Sequence, residues 1–232
     1  RDALRGGCGY DGMALLQACC EMPRARPKGD DTMYITCLDL SVLVPEIWIA
    51  FAEESGIPEL TRTTRDEPDY GKLMDFRLDI LRRMAWAKEI QETIARIDPL
   101  PGAKDFLDEL RATTQAVIIS DTFTQFARLM AKLGWPALFC NELEVADDGT
   151  IAGFAALPES KLTTVRALQS CGFDTIAAGD SHNDLGMIRA SKAGFLFRSP
   201  FIKAENPDLP AFEEYGDLLA PSSRLWLNCR FA

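Results

Sequence analysis

Apolar residues along the chain fall into two rhythms. Short runs rich in β-branched and aliphatic side chains stand at 34–40, 116–119, 137–140, 143–145, 175–178 and 194–197. Their length and composition predict buried strands. Between them, apolar positions recur at three- and four-residue spacing and predict helices at 45–55, 70–83, 87–97, 102–111, 122–133, 161–171 and 183–190. Leu73, Phe76, Ile80 and Met84 show that spacing most clearly. Gly56 and Gly134 stop two of the helices, Pro99 and Pro101 punctuate a boundary, and Asp147-Asp148-Gly149 signals a hairpin turn. Strand and helix therefore alternate, as in an α/β fold with a Rossmann-like parallel sheet flanked by helices. One stretch breaks the alternation. Residues 47–98, after the first strand, read as an all-helical insert with no strand of their own.

Composition narrows the class of molecule. At 232 residues the chain suits one domain with a small insert. A formal charge of −10 opposes binding to nucleic acid or to an anionic membrane surface, since both need excess cationic groups. No apolar run approaches the roughly 18 residues needed to cross a bilayer. Seven cysteines, an odd number without a CxxC pair, predict a reduced, cytoplasmic setting. Residues 1–32 differ from the rest, with three cysteines, five glycines, five basic and five acidic residues and no serine. They fit neither a transit peptide nor a secretory signal. They are expected to be a disordered N-terminal extension, either a tail or translated upstream sequence. Residues 216–232 are expected to form a C-terminal tail.

The candidate chemistry sits at predicted strand ends. Asp39 follows the run at 34–38, Asp180 follows the run at 175–178, Ser120-Asp121-Thr122 follows the run at 116–119, and Lys161 opens a helix. Residues just past the carboxyl ends of parallel strands line the ligand crevice of such sheets. Two acids there can share a hard cation, and Mg²⁺ is typically held by one or two carboxylates plus substrate phosphate oxygens. A carboxylate can also attack phosphorus and form an aspartyl-phosphate. A hydroxyl and a lysine can meanwhile hold the phosphoryl oxygens. Each match alone is weak, but together and in this order they predict Mg²⁺-assisted phosphoryl transfer.

The set resembles the haloacid dehalogenase superfamily of phosphatases. Within it, the segment 43–53 (Leu-Val-Pro-Glu-Ile-Trp-Ile-Ala-Phe-Ala-Glu), Thr63-Thr64-Arg65-Asp66, Pro68-Asp69-Tyr70 and Ser120-Asp121-Thr122-Phe123 resemble the bifunctional phosphoserine phosphatase/homoserine phosphotransferase branch. The resemblance implies an α/β core at 33–46 and 99–215 and a helical cap at 47–98. It implies a Mg²⁺-dependent phosphomonoesterase acting on a small phospho-amino acid, O-phosphoserine, with phosphate transfer to homoserine as a companion activity and a homodimer as one form of assembly. By position, Asp39 matches the nucleophile and Lys161 the lysine that stabilises the phosphoenzyme. Asp39, Ser41 (through its carbonyl) and Asp180 match the metal ligands, with Asp184 supporting them. Ser120 matches the hydroxyl that binds phosphate, and Asn183 a residue that contacts substrate. Glu46 and Arg77 match the acid and base that hold the amino and carboxylate groups, which suits a zwitterion needing one partner of each sign.

Plainer roles compete at several positions. Glu46 and Arg77 also fit solvated helix faces. Asp121 is expected to cap the helix predicted at 122–133. His182 is expected to face solvent, and Trp48, Phe51 and Phe76 to form cap core. The loop after Asp39 departs from the family pattern, which places an acid two residues after the nucleophile and then a glycine. Here Asp39-Leu40-Ser41-Val42 supplies Ser41 and runs one residue short. The missing acid would protonate the leaving alkoxide and later activate water. The alternative is therefore a catalytically impaired or dead relative that binds a phospho-amino acid, or a coding sequence that has lost a codon.

Overall fold

The first strand is a run of aliphatic, aromatic and β-branched residues buried on both faces, as expected in the middle of a parallel sheet. It forms β1 (Met33–Leu38), flanked by β2 (Gln115–Phe123) and β5 (Phe173–Gly179), with parallel pairing to each. The computed structural model describes residues 33–63, 66–67, 70–83, 87–156 and 159–219, all within one compact unit. The expected disorder of residues 1–32 and most of the expected C-terminal tail lie outside them. β3 (Ala137–Val145), β4 (Ile151–Ala155), β6 (Ala193–Phe197) and β7 (Ala211–Phe212) complete a seven-stranded sheet of order β4-β3-β2-β1-β5-β6-β7. Only the β3–β4 pair is antiparallel.

Each face of the sheet carries its own apolar layer. Tyr34, Leu38, Ile118 and Ile176 face one core, while Ile35, Cys37, Val117, Ile119 and Ala177 face the other. The second core is closed by α5 (Ser160–Ser170), α6 (Leu185–Ala190) and α7 (Pro200–Glu205) through Val165, Met187, Ile188 and Ile202. The first is closed by α4 (Ala103–Thr113) and by the helical insert. That insert comprises α1 (Ile47–Ser55), a 3₁₀ turn at Pro58–Thr61, α2 (Tyr70–Arg83) and α3 (Ala87–Ile94). Phe51, Leu60, Met74, Leu78 and Ile90 anchor it in the same apolar cluster as the sheet. Gly56 closes α1 in the left-handed region at φ 71°, a conformation that costs glycine little.

Three local readings need correction. The strands predicted at 137–140 and 143–145 are one strand, β3. Its first half pairs with β2 and its second with β4, so the polar Asn141-Glu142 between them stays in the ladder. The helix predicted at 122–133 begins later and is 3₁₀, spanning Thr124–Leu133. Phe123 is fully buried and aligned with Asn141, which keeps Thr122 and Phe123 in β2. Last, α7 and β7 follow β6, where no element was predicted; Pro200 at the first turn starts the helix.

The short loop after β1 is held from the far end of the described chain. Leu40–Val42 forms a single 3₁₀ turn capped by the Asp39 side chain. The Tyr215 hydroxyl donates to the Val42 carbonyl at 2.7 Å, and the Tyr215 ring stacks between Phe106 and Phe197 with centroids 4.8 Å away on each side.

Candidate active site

β1, β2 and β5 end side by side, and the residues just beyond them converge. The Asp39 amide donates to the Ala178 carbonyl at 2.9 Å, extending the β1–β5 ladder by one residue and fixing Asp39 over the sheet edge. Lys161, one residue into α5, reaches across. Its Nζ lies 2.7 Å from Asp39 Oδ1, 2.6 Å from Asp184 Oδ1 and 3.6 Å from Asp121 Oδ2. Asp39, Lys161 and Asp184 are all buried. Burial alone would raise the Asp39 carboxyl, but the charge and hydrogen bond of Lys161 hold it below the usual carboxylate range. Lys161 is held well above its ordinary value, because the surrounding carboxylates outweigh the loss of water.

Asp184 is fully committed to hydrogen bonds. One oxygen takes Lys161, and the other accepts from the Asp180 and Ser181 amides, each at 2.9 Å, and from the Ser181 hydroxyl at 2.8 Å. Gly179 makes this possible, since any side chain there would collide with the Asp184 carboxyl. Asp180 is different. Its carboxylate takes the Ser41 hydroxyl, which also bonds to Asp39, so Ser41 bridges the two acids. Withdrawal from water and then repulsion from Asp39 push the Asp180 carboxyl up to about 6.

This donor set fits a hard divalent cation. Carboxylate oxygens of Asp39, Asp180 and Asp184 lie within 4.8 Å of one another. Oxygen donors suit Mg²⁺. Asp39 gives one oxygen to Lys161 and the other to Ser41, and Asp184 is bonded at both oxygens, so a cation between Asp39 and Asp180 would take the place of the bridging Ser41 hydroxyl. The mutual repulsion of those two acids is the strain that a cation between them would relieve.

The same residues open into a cavity of about 340 Å³. Asp39, Ser41, Ser120, Lys161, Asp180 and Asn183 line it, together with Glu46, Trp48, Thr63 and Arg77. Both members of the weaker predicted pair therefore face the same space. Glu46 caps α1 by accepting from the Ile49 amide at 2.8 Å. Arg77 is buried, donates through Nη2 to the Arg62 carbonyl at 2.7 Å and lies 4.4 Å over the Trp48 ring. Trp48 belongs to the apolar cluster with Phe51, as expected, but also presents surface to the cavity. His182 is exposed and bonded to Glu205 at 2.6 Å, at the cavity rim.

Asp121 is the residue that the sequence reading misplaced. It caps no helix. It stands within β2, where it accepts from Ser160 Oγ at 2.6 Å and from Asn183 Nδ2 at 3.1 Å. The signal that could have found it is its position: β2 runs three residues past Ser120, so Asp121 shares the strand end.

The family model for haloacid dehalogenase-like hydrolases matches residues 43–189. The chain belongs to that family. It is accordingly an enzyme of the hydrolase class, and the match begins just after the shortened loop, leaving Asp39 and Ser41 ahead of it. Among relatives of this haloacid dehalogenase-like chain, phosphoserine phosphatase ThrH of Pseudomonas aeruginosa is 48% identical over 80% of the chain and 93% of its own length. A phosphoserine phosphatase of Pseudomonas syringae pv. tomato is 43% identical over 82% of each chain. The resemblance to the phosphoserine phosphatase/homoserine phosphotransferase branch thus holds across most of the sequence. A substrate-bound phosphoserine phosphatase structure shares the fold, with a TM-score of 0.65, 23% identity and coverage of 84% and 99% of the two chains.

Proposed function

We propose that the chain hydrolyses O-phosphoserine to serine and phosphate through an aspartyl-phosphate on Asp39, with Mg²⁺ as cofactor. The observation that carries this reading is a single cavity lined both by a phosphoryl-transfer set and by an acid–base pair, Glu46 and Arg77. It is supported by the names of the most similar relatives.

Asp39 attacks phosphorus as the serine ester oxygen leaves with the bonding pair. Its depressed carboxyl value keeps it ionised and ready at neutral pH. Lys161 and Ser120 hold the phosphoryl oxygens, with Asn183 positioned by Asp121. Asp39 and Asp180 would hold Mg²⁺, assisted by the Ser41 carbonyl; when bound, the ion offsets the negative charge shared by phosphate and carboxylates. Arg77 takes the substrate carboxylate, its side chain fixed by Arg62 and Trp48, and Glu46 takes the ammonium. Water then attacks the phosphoenzyme. The helical segment 47–98 serves as a cap over the core formed by 33–46 and 99–215, and the setting is the cytoplasm.

Ser41 favours a second outcome of the same chemistry. A serine hydroxyl is a poor proton donor to the leaving alkoxide and a poor base for water, so the phosphoenzyme should persist long enough to meet an alcohol acceptor such as homoserine. Rapid-quench kinetics with phosphoserine and Mg²⁺ test both. Steady turnover marks a hydrolase, and a burst that homoserine converts to turnover marks a phosphotransferase. Neither signal from the intact protein would favour a binding-only relative. Asp39→Asn should remove the burst and the turnover together; a phosphorylated protein persisting in that variant would sink Asp39 as nucleophile.

A further inference from the structure

Two hydroxyls from the C-terminal part of the described chain hold the two loops that carry the acids. Tyr215 is buried and donates from its hydroxyl to the Val42 carbonyl at 2.7 Å. Ser199 is buried too, and its Oγ donates to the Asp180 carbonyl at 2.6 Å. The two donors belong to one unit. The Phe197 ring, at the end of β6, stacks on the Tyr215 ring, and the Arg198 guanidinium lies 5.0 Å over that same ring. Arg198 stands at φ 49°, a left-handed conformation that is unfavourable for a residue with a side chain. Its amide donates to the Phe212 carbonyl at 2.9 Å and its Nε to the Glu213 carbonyl at 2.8 Å, which hold it there. Phe197 thus packs on Tyr215 while Ser199, two residues on, reaches Asp180.

We propose that Ser199 and Tyr215 are positioning residues that brace the Asp180 loop against the 3₁₀ turn after Asp39 and so set the affinity of the site for a divalent cation. This rests on the Mg²⁺ reading above. Within the turn, the carbonyls of Asp39, Leu40 and Leu43 accept backbone amides, and that of Val42 takes Tyr215. The Ser41 carbonyl accepts no hydrogen bond among the described residues, so it is the backbone oxygen of the turn left to ligate. By holding the neighbouring carbonyl, Tyr215 limits how far the Ser41 peptide can turn. The side-chain link between the two loops is the Ser41 hydroxyl between Asp39 and Asp180, which a cation would displace. Contacts that the cation leaves in place must then keep the spacing of the loops. The two hydroxyl bonds are such contacts, one on each loop, and a site held in its binding geometry loses less freedom when the ion enters.

Urea unfolding of the full chain at a series of Mg²⁺ concentrations gives two readings for each variant. Stability without Mg²⁺ reports on packing. The rise with Mg²⁺ gives the dissociation constant, since a ligand of the folded state stabilises it by RT ln(1 + [Mg²⁺]/Kd). Tyr215→Phe keeps the stacked ring and removes only its hydroxyl, and Ser199→Ala removes the other hydroxyl. Val165→Ala, in the apolar layer on the opposite face of the sheet, is the control. All three should be less stable than wild type without Mg²⁺. Only Tyr215→Phe and Ser199→Ala should raise the Kd, each by about threefold to tenfold, the range for one ordinary hydrogen bond. The double variant should raise it little beyond the larger single effect, because cutting either end releases the brace. An unchanged Kd in both single variants, or an equal rise in Val165→Ala, would overturn the proposal, as would a double variant whose effects multiply. A wild type that Mg²⁺ does not stabilise fails the metal reading and this inference with it. A wild type stabilised by Mg²⁺, with both brace variants binding the ion equally well, fails this inference alone.

Discussion

Asp180 is where the residue-scale electrostatics are least settled. Its carboxyl stands at about 6 against an ordinary value of 3.8, raised first by burial and then by Asp39. In the absence of a cation the folded state therefore keeps a proton that the unfolded chain releases between about pH 4 and 6. Folded stability then drops with rising pH across that window, by up to about 3 kcal/mol from this one group. Asp180→Asn removes the cost. In the presence of a chelator the variant and wild type should melt together near pH 4, and the variant should melt higher above about pH 6.5. Mg²⁺ should raise the melting temperature of wild type and leave the variant largely unmoved. A wild type that stays the more stable protein at pH 8 in chelator would contradict this account. At this scale the acids were legible in the sequence, because each follows a β-branched or aliphatic run. The partners of Lys161 were not, since three carboxylates around one ammonium are brought together from segments far apart in sequence.

The element that decides the chemistry is the 3₁₀ turn at Leu40–Val42. Its shortness places the Ser41 hydroxyl between Asp39 and Asp180, and the Tyr215 hydroxyl holds its last carbonyl. Changing Ser41→Glu and inserting a glycine after it restores the acid that the family pattern carries there. General acid–base assistance is worth about 10²–10⁴-fold. Phosphoserine turnover should therefore rise by about 10²-fold or more, and aryl phosphate turnover much less, since a phenolate leaves with little proton help. If the repaired loop gains nothing while the natural one already turns over phosphoserine quickly, Ser41 is no defect and another group delivers the proton. The sequence showed the missing acid plainly. It did not show the bridging hydroxyl, which depends on how the shortened turn coils. The misread helix at 122–133 has a similar cause: helical periodicity in Phe126, Leu129, Met130 and Leu133 is real, but the pairing of Phe123 with Asn141 of β3, its ring buried against Trp48 and Phe154, outweighs it at the first two positions.

At the scale of the whole molecule, Lys161 is a tie between elements. From α5 it reaches Asp39 beyond β1, Asp121 in β2 and Asp184 beyond β5. Removing one partner of a buried ion cluster leaves uncompensated charge and costs about 3–5 kcal/mol. Lys161→Met should lose about that much in urea unfolding at pH 7. The deficit should shrink as pH falls, because Asp39 and Asp184 can then protonate. A loss below about 1 kcal/mol would mean that the acids are not held by this lysine. The fold class was readable because a parallel sheet covered on both faces needs continuous apolar strands, and β1, β5 and β6 supply them. The edge strands β4 and β7 were not, being short and half exposed.

The sheet order also sets a timetable. Among the described strands β1 is synthesised first, yet both its neighbours come later: Ile35 pairs with Gln115, and Met33 with Phe173. An emerging chain therefore carries Asp39 at the end of a bare, apolar strand until β2 has been made. Pairings between such distant segments form slowly and leave sticky edges exposed meanwhile. The helical insert, whose contacts are more local, can shelter the first face of β1 during that wait. The second face has no cover until α5 and α6 arrive, which makes it the surface where a chaperone would bind and where aggregation would start.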